Sequence, residues 1–343
     1  MRRLLNTLFV QSEDIYLALE NENIIAKVDE KILARIPLIG LENIVYFGYK
    51  GASPFLLGEC VKRKIGFCFL SPHGRFLARA SGINPGNVLL RKEQYRVSDN
   101  AAKNIIFARN FIAAKIFNAR TVLERAKRDH PMSFNEEQIL LVSNELKSLM
   151  KSAKNTDNAE TLLGIEGRAA TSYFSLFNSL ILQQKKHFVF ITRNKRPPKD
   201  KINAMLSFAY TLLAHDTASA LESVGFDAYV GFFHRDRPGR ASLALDLMEE
   251  LRSIYADRFV LKLINNRVIK HTDFEEREDG SILLKENGRQ KFLKAWQEKK
   301  QEEITHPYLG EKIPWGLLPY AQALLLARSL RGDLEEYPAF LWK

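Results

Sequence analysis

The sequence predicts an α+β protein of two domains. A β-rich, sandwich-like domain occupies residues 1–95, and a larger all-α domain occupies residues 96–343. Three observations carry this reading. Short apolar runs separated by polar turns fill the first stretch. From Ala101 onward the apolar period is helical. A chain of 343 residues is long enough for about two domains.

The elements follow in order. Leu8-Phe9-Val10, residues 15–19 and residues 24–28 read as strands, with Asn21-Glu22-Asn23 as a hairpin turn. Residues 32–36 and 44–47 continue the rhythm. Pro54 opens a short helix over residues 55–63, and residues 65–70 read as a buried strand. Pro72-His73-Gly74 is a turn before a last strand at residues 76–78. Evenly spaced short strands suggest a small sandwich. The character changes after Pro85-Gly86. Ile105, Ile112, Ile116 and Ala119 form one helical stripe, with Lys103, Arg109, Lys115 and Arg120 off it. Further helices are expected over residues 135–154 and 161–182, the latter apolar over most of its circumference and therefore central. Asp200 caps a helix running to residue 213, and Ser242 caps one carrying Leu243, Leu247, Leu251 and Ile254. Residues 284–304 and 319–331 complete the set.

At 46% hydrophobic and 27% charged, the chain has ample apolar surface to bury, which excludes disorder. Cys60 and Cys68 are the only cysteines; their spacing suits neither a disulfide scaffold nor a zinc site, so both are expected reduced in an apolar core. No stretch reaches the roughly 18 apolar residues of a membrane span. The N-terminus briefly imitates a signal peptide, but Glu13 and Asp14 follow at once. A cytoplasmic protein is expected. The net charge is +11, with a pI near 9.5. Residues 1–95 carry +4, residues 96–210 carry +9 and residues 211–343 carry −2. The excess in the middle segment points to nucleic acid, although any single Lys is best read as solvated.

Three places combine polar chemistry with apolar surroundings. Glu166 lies in Leu163-Gly164-Ile165-Glu166-Gly167, and flanking glycines permit close approach. A buried carboxylate there must be protonated, bound to a metal, or paired with Arg168 or another Arg. His234 ends Gly231-Phe232-Phe233-His234, as a base, a metal ligand or a packed ring. Asp246, Glu249 and Glu250 follow in Ser242-Leu243-Ala244-Leu245-Asp246-Leu247-Met248-Glu249-Glu250. Asp246 and Glu249 are three apart and share a helix face, where a cation would relieve their repulsion; Glu250 is expected on a solvated acidic face. One imidazole with several carboxylates suggests Mg²⁺ or Mn²⁺, and beside a basic segment it suggests phosphodiester chemistry.

These three motifs resemble the CRISPR-associated integrase, the universal metal-dependent DNA endonuclease of the adaptation step. So do Pro198-Lys199-Asp200-x-x-Asn203-Ala204-x-Leu206-Ser207-Phe208-x-Tyr210-x-Leu212-Leu213 and the tail from His306-Pro307-Tyr308-Leu309-Gly310 to Arg331-Gly332-Asp333. The tail and length resemble the subgroup that accompanies a compact type I interference complex. The resemblance covers nearly the whole chain. It implies metal ligands at Glu166, His234 and Glu249, with Asp246 as a supporting or alternate ligand. It also implies a tyrosine near the site, Tyr210, which could orient the scissile phosphate or be a core tyrosine. Arg193, Lys195, Arg196 and Lys199 could line a phosphate-contacting rim, or a solvated loop.

The resemblance further implies a homodimer built through the β domain. It implies a small ferredoxin-like CRISPR-associated partner, and double-stranded and branched DNA as substrates. The reaction would insert short DNA segments (spacers) into a CRISPR array, a 3′-hydroxyl attacking a phosphodiester, in antiviral defence. The competing readings are a non-catalytic DNA-binding scaffold and a phosphohydrolase of small molecules.

Overall fold

The computed structural model describes residues 7–41, 43–71, 76–80, 88–194 and 197–342. The expected turn at Pro72-His73-Gly74 and the break at Pro85-Gly86 lie outside them. The described chain forms two compact units. One comprises the residues up to 80 together with Leu293–Glu302 and Trp315–Leu317; the other comprises the remainder.

The first unit contains seven strands and a helix: β1 (Thr7–Val10), β2 (Tyr16–Glu20), β3 (Asn23–Val28), β4 (Lys31–Pro37), β5 (Asn43–Phe47), α1 (Pro54–Lys62), β6 (Gly66–Leu70) and β7 (Phe76–Ala80). β2, β3 and β4 form an antiparallel sheet. β2 and β3 join through a two-residue turn at Asn21 and Glu22, both at positive φ (48° and 63°), the mirror-image turn whose twist suits a hairpin. The other sheet has the order β1-β5-β6-β7. Its β1–β5 and β5–β6 pairs are parallel, and α1 makes the crossover from β5 to β6. Alternation alone could not reveal those parallel pairs, because partner choice depends on connections. Leu17, Ile24, Ile44, Leu56, Cys60 and Phe67, from both sheets and α1, share one core, as a sandwich requires. Tyr46 ties it to the loops by donating to Ile15 O (2.7 Å) and accepting from Gly51 N (3.1 Å).

The second unit is mostly helical. It contains α2 (Val88–Ser98), α3 (Ala101–Asp129), α4 (Glu136–Asn155), α5 (Ala159–Ser175), α6 (Lys201–Val224), α7 (Ser242–Glu249) and α8 (Arg258–Asn265). Two short hairpins interrupt the helices: β8 (Phe274–Glu276) with β9 (Ile282–Leu284), and β10 (Glu303–Thr305) with β11 (Lys312–Pro314). α9 (Glu286–Gln301) lies between the hairpins in sequence, its residues from Leu293 onward belonging to the first unit, and α10 (Leu318–Leu330) follows them.

The helix starts obey local chemistry. Asn100, Asn135, Asn158 and Asp200 each cap a helix by accepting from backbone N–H groups in its first turn. Ser242 does not cap: it is the first residue of α7, and its hydroxyl donates to Arg235 O. The free N–H groups of Leu243 and Ala244 reach Ala228 O instead. α6 runs well past residue 213 and ends at Gly225, whose φ of +108° suits glycine. The expected stripe of α3 is buried: Ile105, Ile112, Ile116 and Ala119 all lie inside. α5 differs from its expected central position. It ends at Ser175, Leu163 is exposed, and Gly164 and Gly167 face open space. Among the described residues, no helix is long and apolar enough to cross a membrane.

Burial leaves Cys60 no accessible surface and pushes its thiol pKa up to about 12. Cys60 and Cys68 are free and buried. Iodoacetamide at pH 8 should therefore modify Cys60 only after denaturant unfolds the chain, as read by peptide mass spectrometry; rapid labelling of the folded protein would contradict this core.

Candidate metal centre

α7 and the Glu250 that ends it carry three carboxylates, and each meets a different environment. Asp246 is fully buried. Its oxygens accept from the backbone N–H groups of Phe232 (2.6 Å), Phe233 (2.9 Å) and His234 (2.9 Å). His234 Nδ1 lies 2.6 Å away. An ionised carboxylate can only accept, so the ring donates through Nδ1–H and Nε2 is free to act as a ligand. The loop needs Gly231, because a Cβ there would come within 2.8–2.9 Å of Ser242, Asp246 and His234. Buried Gln94 of α2 donates to Asp227 O and Val230 O, and Ser98 donates to Gly231 O, so the loop is also held from outside.

Glu249, three residues further along α7, approaches the other side of the same imidazole: His234 Nε2 is 3.9 Å from Glu249 Oε1. Glu249 is 3% exposed. Arg252 stands 2.9 Å from Oε1 and Lys115 of α3 stands 2.8 Å from Oε2. Burial opposes ionisation of Glu249. Arg252, Lys115 and His234 outweigh it and hold the carboxyl at about 2. Glu166 of α5 is the second partner of the same Lys115 ammonium. Arg168 is not its partner; it pairs with Glu145 at 2.7 Å.

Glu250 corrects the expectation of a solvated face. It is fully buried and accepts from Tyr337 Oη (2.7 Å), Gln322 Nε2 (2.9 Å) and Phe340 N (2.8 Å). Burial raises its carboxyl to about 7 even against those bonds. The segment after α10 covers this side of α7, a contact that helical spacing cannot foretell.

Lys115 and Glu166 line a cavity of about 400 Å³ together with Thr171, Arg193, Tyr210 and Arg252. Tyr210 donates to Asp257 Oδ1 at 2.6 Å, within a π-helical turn over Arg252–Asp257 that follows α7. Burial raises the Tyr210 pKa well above its ordinary value, with Asp257 adding to the shift. Burial likewise raises Asp257 to about 6, despite its bond from Tyr210. Arg193 and Arg252 both lie over the Tyr210 ring, at 5.3 and 5.0 Å. Arg193 is thus no solvated rim residue. It donates to Asn203 Oδ1 (2.6 Å) and Ser207 Oγ (3.1 Å) on the cavity wall. Lys199 is exposed. Lys195 and Arg196 lie outside the described residues.

Glu166, His234 and Glu249 therefore share one place. Among the described residues, no three His, Cys, Asp or Glu side chains close to a shared ligand distance, because Lys115 Nζ stands between Glu166 and Glu249. The donors fit a hard divalent cation all the same. Two carboxylates converge on a positive charge, with an oriented imidazole beside them. Glu249 Oε2 is buried without a well-directed hydrogen bond. Sequence reasoning missed Lys115, Arg252 and Asp257. Arg252 follows Glu249 by one helical turn and could have been found; Lys115 looked like any polar residue off an apolar stripe.

Residues 8–298 match the family model for CRISPR associated protein Cas1. The chain is 46% identical over 343 residues to CRISPR-associated endonuclease Cas1 1 of Chlorobaculum tepidum, with all of both chains covered. It is similar to a chain of a Cas6-RT-Cas1–Cas2 complex, with a TM-score of 0.83 and 24% identity, covering all of this chain and 37% of that longer one. It is also similar to a casposase bound to integration product, with a TM-score of 0.82 and 23% identity, covering 98% and 94% of the two chains. The last two likenesses speak to the fold.

Asp246→Asn keeps the shape but replaces an acceptor oxygen with an amide that cannot receive these N–H groups. Mn²⁺ affinity measured by calorimetry should fall about 10- to 100-fold, the usual effect of losing a group that orients a metal-binding histidine. Wild-type affinity in this variant would show that Asp246 does not govern His234.

Proposed function

The chain belongs to the CRISPR-associated Cas1 family, and from that membership we propose that it is a divalent-metal-dependent DNA endonuclease and integrase of spacer acquisition. It inserts short DNA segments into a CRISPR array, a 3′-hydroxyl attacking a phosphodiester of the repeat. The observation that carries this reading is the meeting of Glu166 and Glu249 at one cation, with His234 Nε2 beside them.

Glu166, His234 and Glu249 are the proposed ligands, and their oxygen-rich set with one nitrogen suits Mg²⁺ or Mn²⁺. When bound, the ion supplies Lewis-acid polarisation of a phosphate oxygen and activation of the attacking hydroxyl. The chain's own residues do the rest. Glu249 stays ionised at working pH because its carboxyl sits at about 2. Asp246 keeps the His234 proton on Nδ1 and so presents Nε2 as a lone pair. Tyr210 stays protonated and, held on Asp257, keeps Arg193 and Arg252 stacked at the cavity wall, where they can meet a phosphate. Exposed Lys199 is a proposed phosphate contact for duplex or branched DNA, and the sequence neighbours Lys195 and Arg196 are proposed as further contacts. Water in place of the hydroxyl would give strand cleavage.

The first unit is the proposed homodimer interface. β4 is an edge strand, and Ile32 and Leu33 on it and Ile39 just after it are exposed. A small ferredoxin-like CRISPR-associated protein is the proposed partner of the integration complex, and the cytoplasm, where the DNA lies, the proposed compartment.

Glu166→Ala should abolish Mn²⁺-dependent cleavage of a branched duplex while leaving the circular dichroism spectrum and DNA binding unchanged. Full activity in this variant would overturn Glu166 as a ligand, whereas no metal-dependent cleavage by the wild type would favour the reading as a non-catalytic DNA scaffold. Affinity for a DNA duplex should fall steeply and log-linearly with salt between 50 and 200 mM, as released counterions require (roughly 10³-fold for about six phosphate contacts). A flat response would argue against the basic groove.

A further inference from the structure

Lys115 has no place in the ligand set, yet it stands at its centre. It comes from α3, while Glu166 comes from α5 and Glu249 from α7. Its ammonium is ion-paired with Glu166 and lies 2.8 Å from Glu249 Oε2. The Lys115 side chain is 15% exposed, and the carboxylates it joins are 20% and 3% exposed. Two carboxylates brought together away from water repel strongly, so a cation must stand between them in every folded state.

Arg252 cannot fill that role. It pairs with Glu249 Oε1 from one turn along, and its guanidinium is stacked on Tyr210. Lys115 differs in kind. Its ammonium is a compact charge on a flexible four-carbon stem. Its contact with Glu249 Oε2 is close without being a well-directed hydrogen bond. It also borders the cavity, so there is room for it to leave.

We infer that Lys115 is a displaceable counter-ion of the metal site. Its ammonium holds Glu166 and Glu249 together before metal arrives, and withdraws toward the cavity when a divalent cation takes the carboxylates. This rests on the metal reading given above. An ammonium and a divalent ion at the same pair of carboxylates repel, so metal loading is an exchange of cations. Two consequences follow. The metal-free protein keeps its ligand helices in place, and the metal affinity is lower than the bare carboxylates would give. The withdrawn ammonium joins Arg193 and Arg252 on the wall that a phosphodiester would face.

Lys115→Met tests this in the full chain by calorimetric titration with Mn²⁺ and by thermal unfolding with and without Mn²⁺. The dissociation constant should tighten by about tenfold or more. The metal-free melting temperature should fall, and the rise on adding Mn²⁺ should widen. Unchanged or weaker binding by the variant, with the wild type still binding, overturns the inference and leaves the metal reading standing. Absence of Mn²⁺ binding by both proteins overturns both. A second measurement needs no variant: acetylation of Lys115 in the wild type, followed by mass spectrometry, should rise several-fold at saturating Mg²⁺. Equal protection with and without Mg²⁺, in protein shown by calorimetry to bind the ion, overturns the inference.

Discussion

A carboxylate carried 3% exposed, as Glu249 is, costs several kcal/mol unless cations stand against it. The helical unit is built around that requirement. α3 delivers Lys115, the π-helical turn delivers Arg252, and the loop before α7 delivers His234. Glu166 then shares the lysine, which draws α5 to the same point. The result is a pair of carboxylates that converges on positive charge from three separate helices and the turn after α7.

The two acids of α7 and the Glu250 that follows it divide the labour by direction. Asp246 gathers three backbone N–H groups and the imidazole, so it shapes the His234 loop. Glu249 faces Lys115, Arg252 and His234. Glu250 binds Tyr337, Gln322 and Phe340 N, locking α7 to the end of the chain. Asn118 of α3 strengthens that lock by donating to Glu250 O and Phe340 O and accepting from Trp342 N. An eight-residue helix would fray alone; here both its ends and two of its sides are fixed. That rigidity matters because a metal site tolerates little displacement of its ligands.

The cavity beside this centre carries its own buried charge. Asp257, Tyr210, Arg193 and Arg252 neutralise and orient one another. The π-helical geometry makes this possible, since the widened turn carries Arg252 to Glu249 and Asp257 to Tyr210. Of the basic residues concentrated between 96 and 210, Lys115 and Arg193 stand at this centre and cavity, where positive side chains meet buried acids.

Much of this was legible in the chain itself. Apolar period marked the strands and the stripe of α3, and Asp200 marked the start of α6, because these signals are local. The spacing of Asp246 and Glu249 placed them on one helix, and the family motifs singled out Glu166 and His234. Tertiary structure alone decided the rest. The parallel pairs β1–β5 and β5–β6 join distant segments. The burial of Glu250 depends on a tail almost ninety residues away. Lys115 acquires its meaning only where α3, α5 and α7 meet, since sequence spacing governs neighbours on one helix and says nothing of which helices bring their charges together.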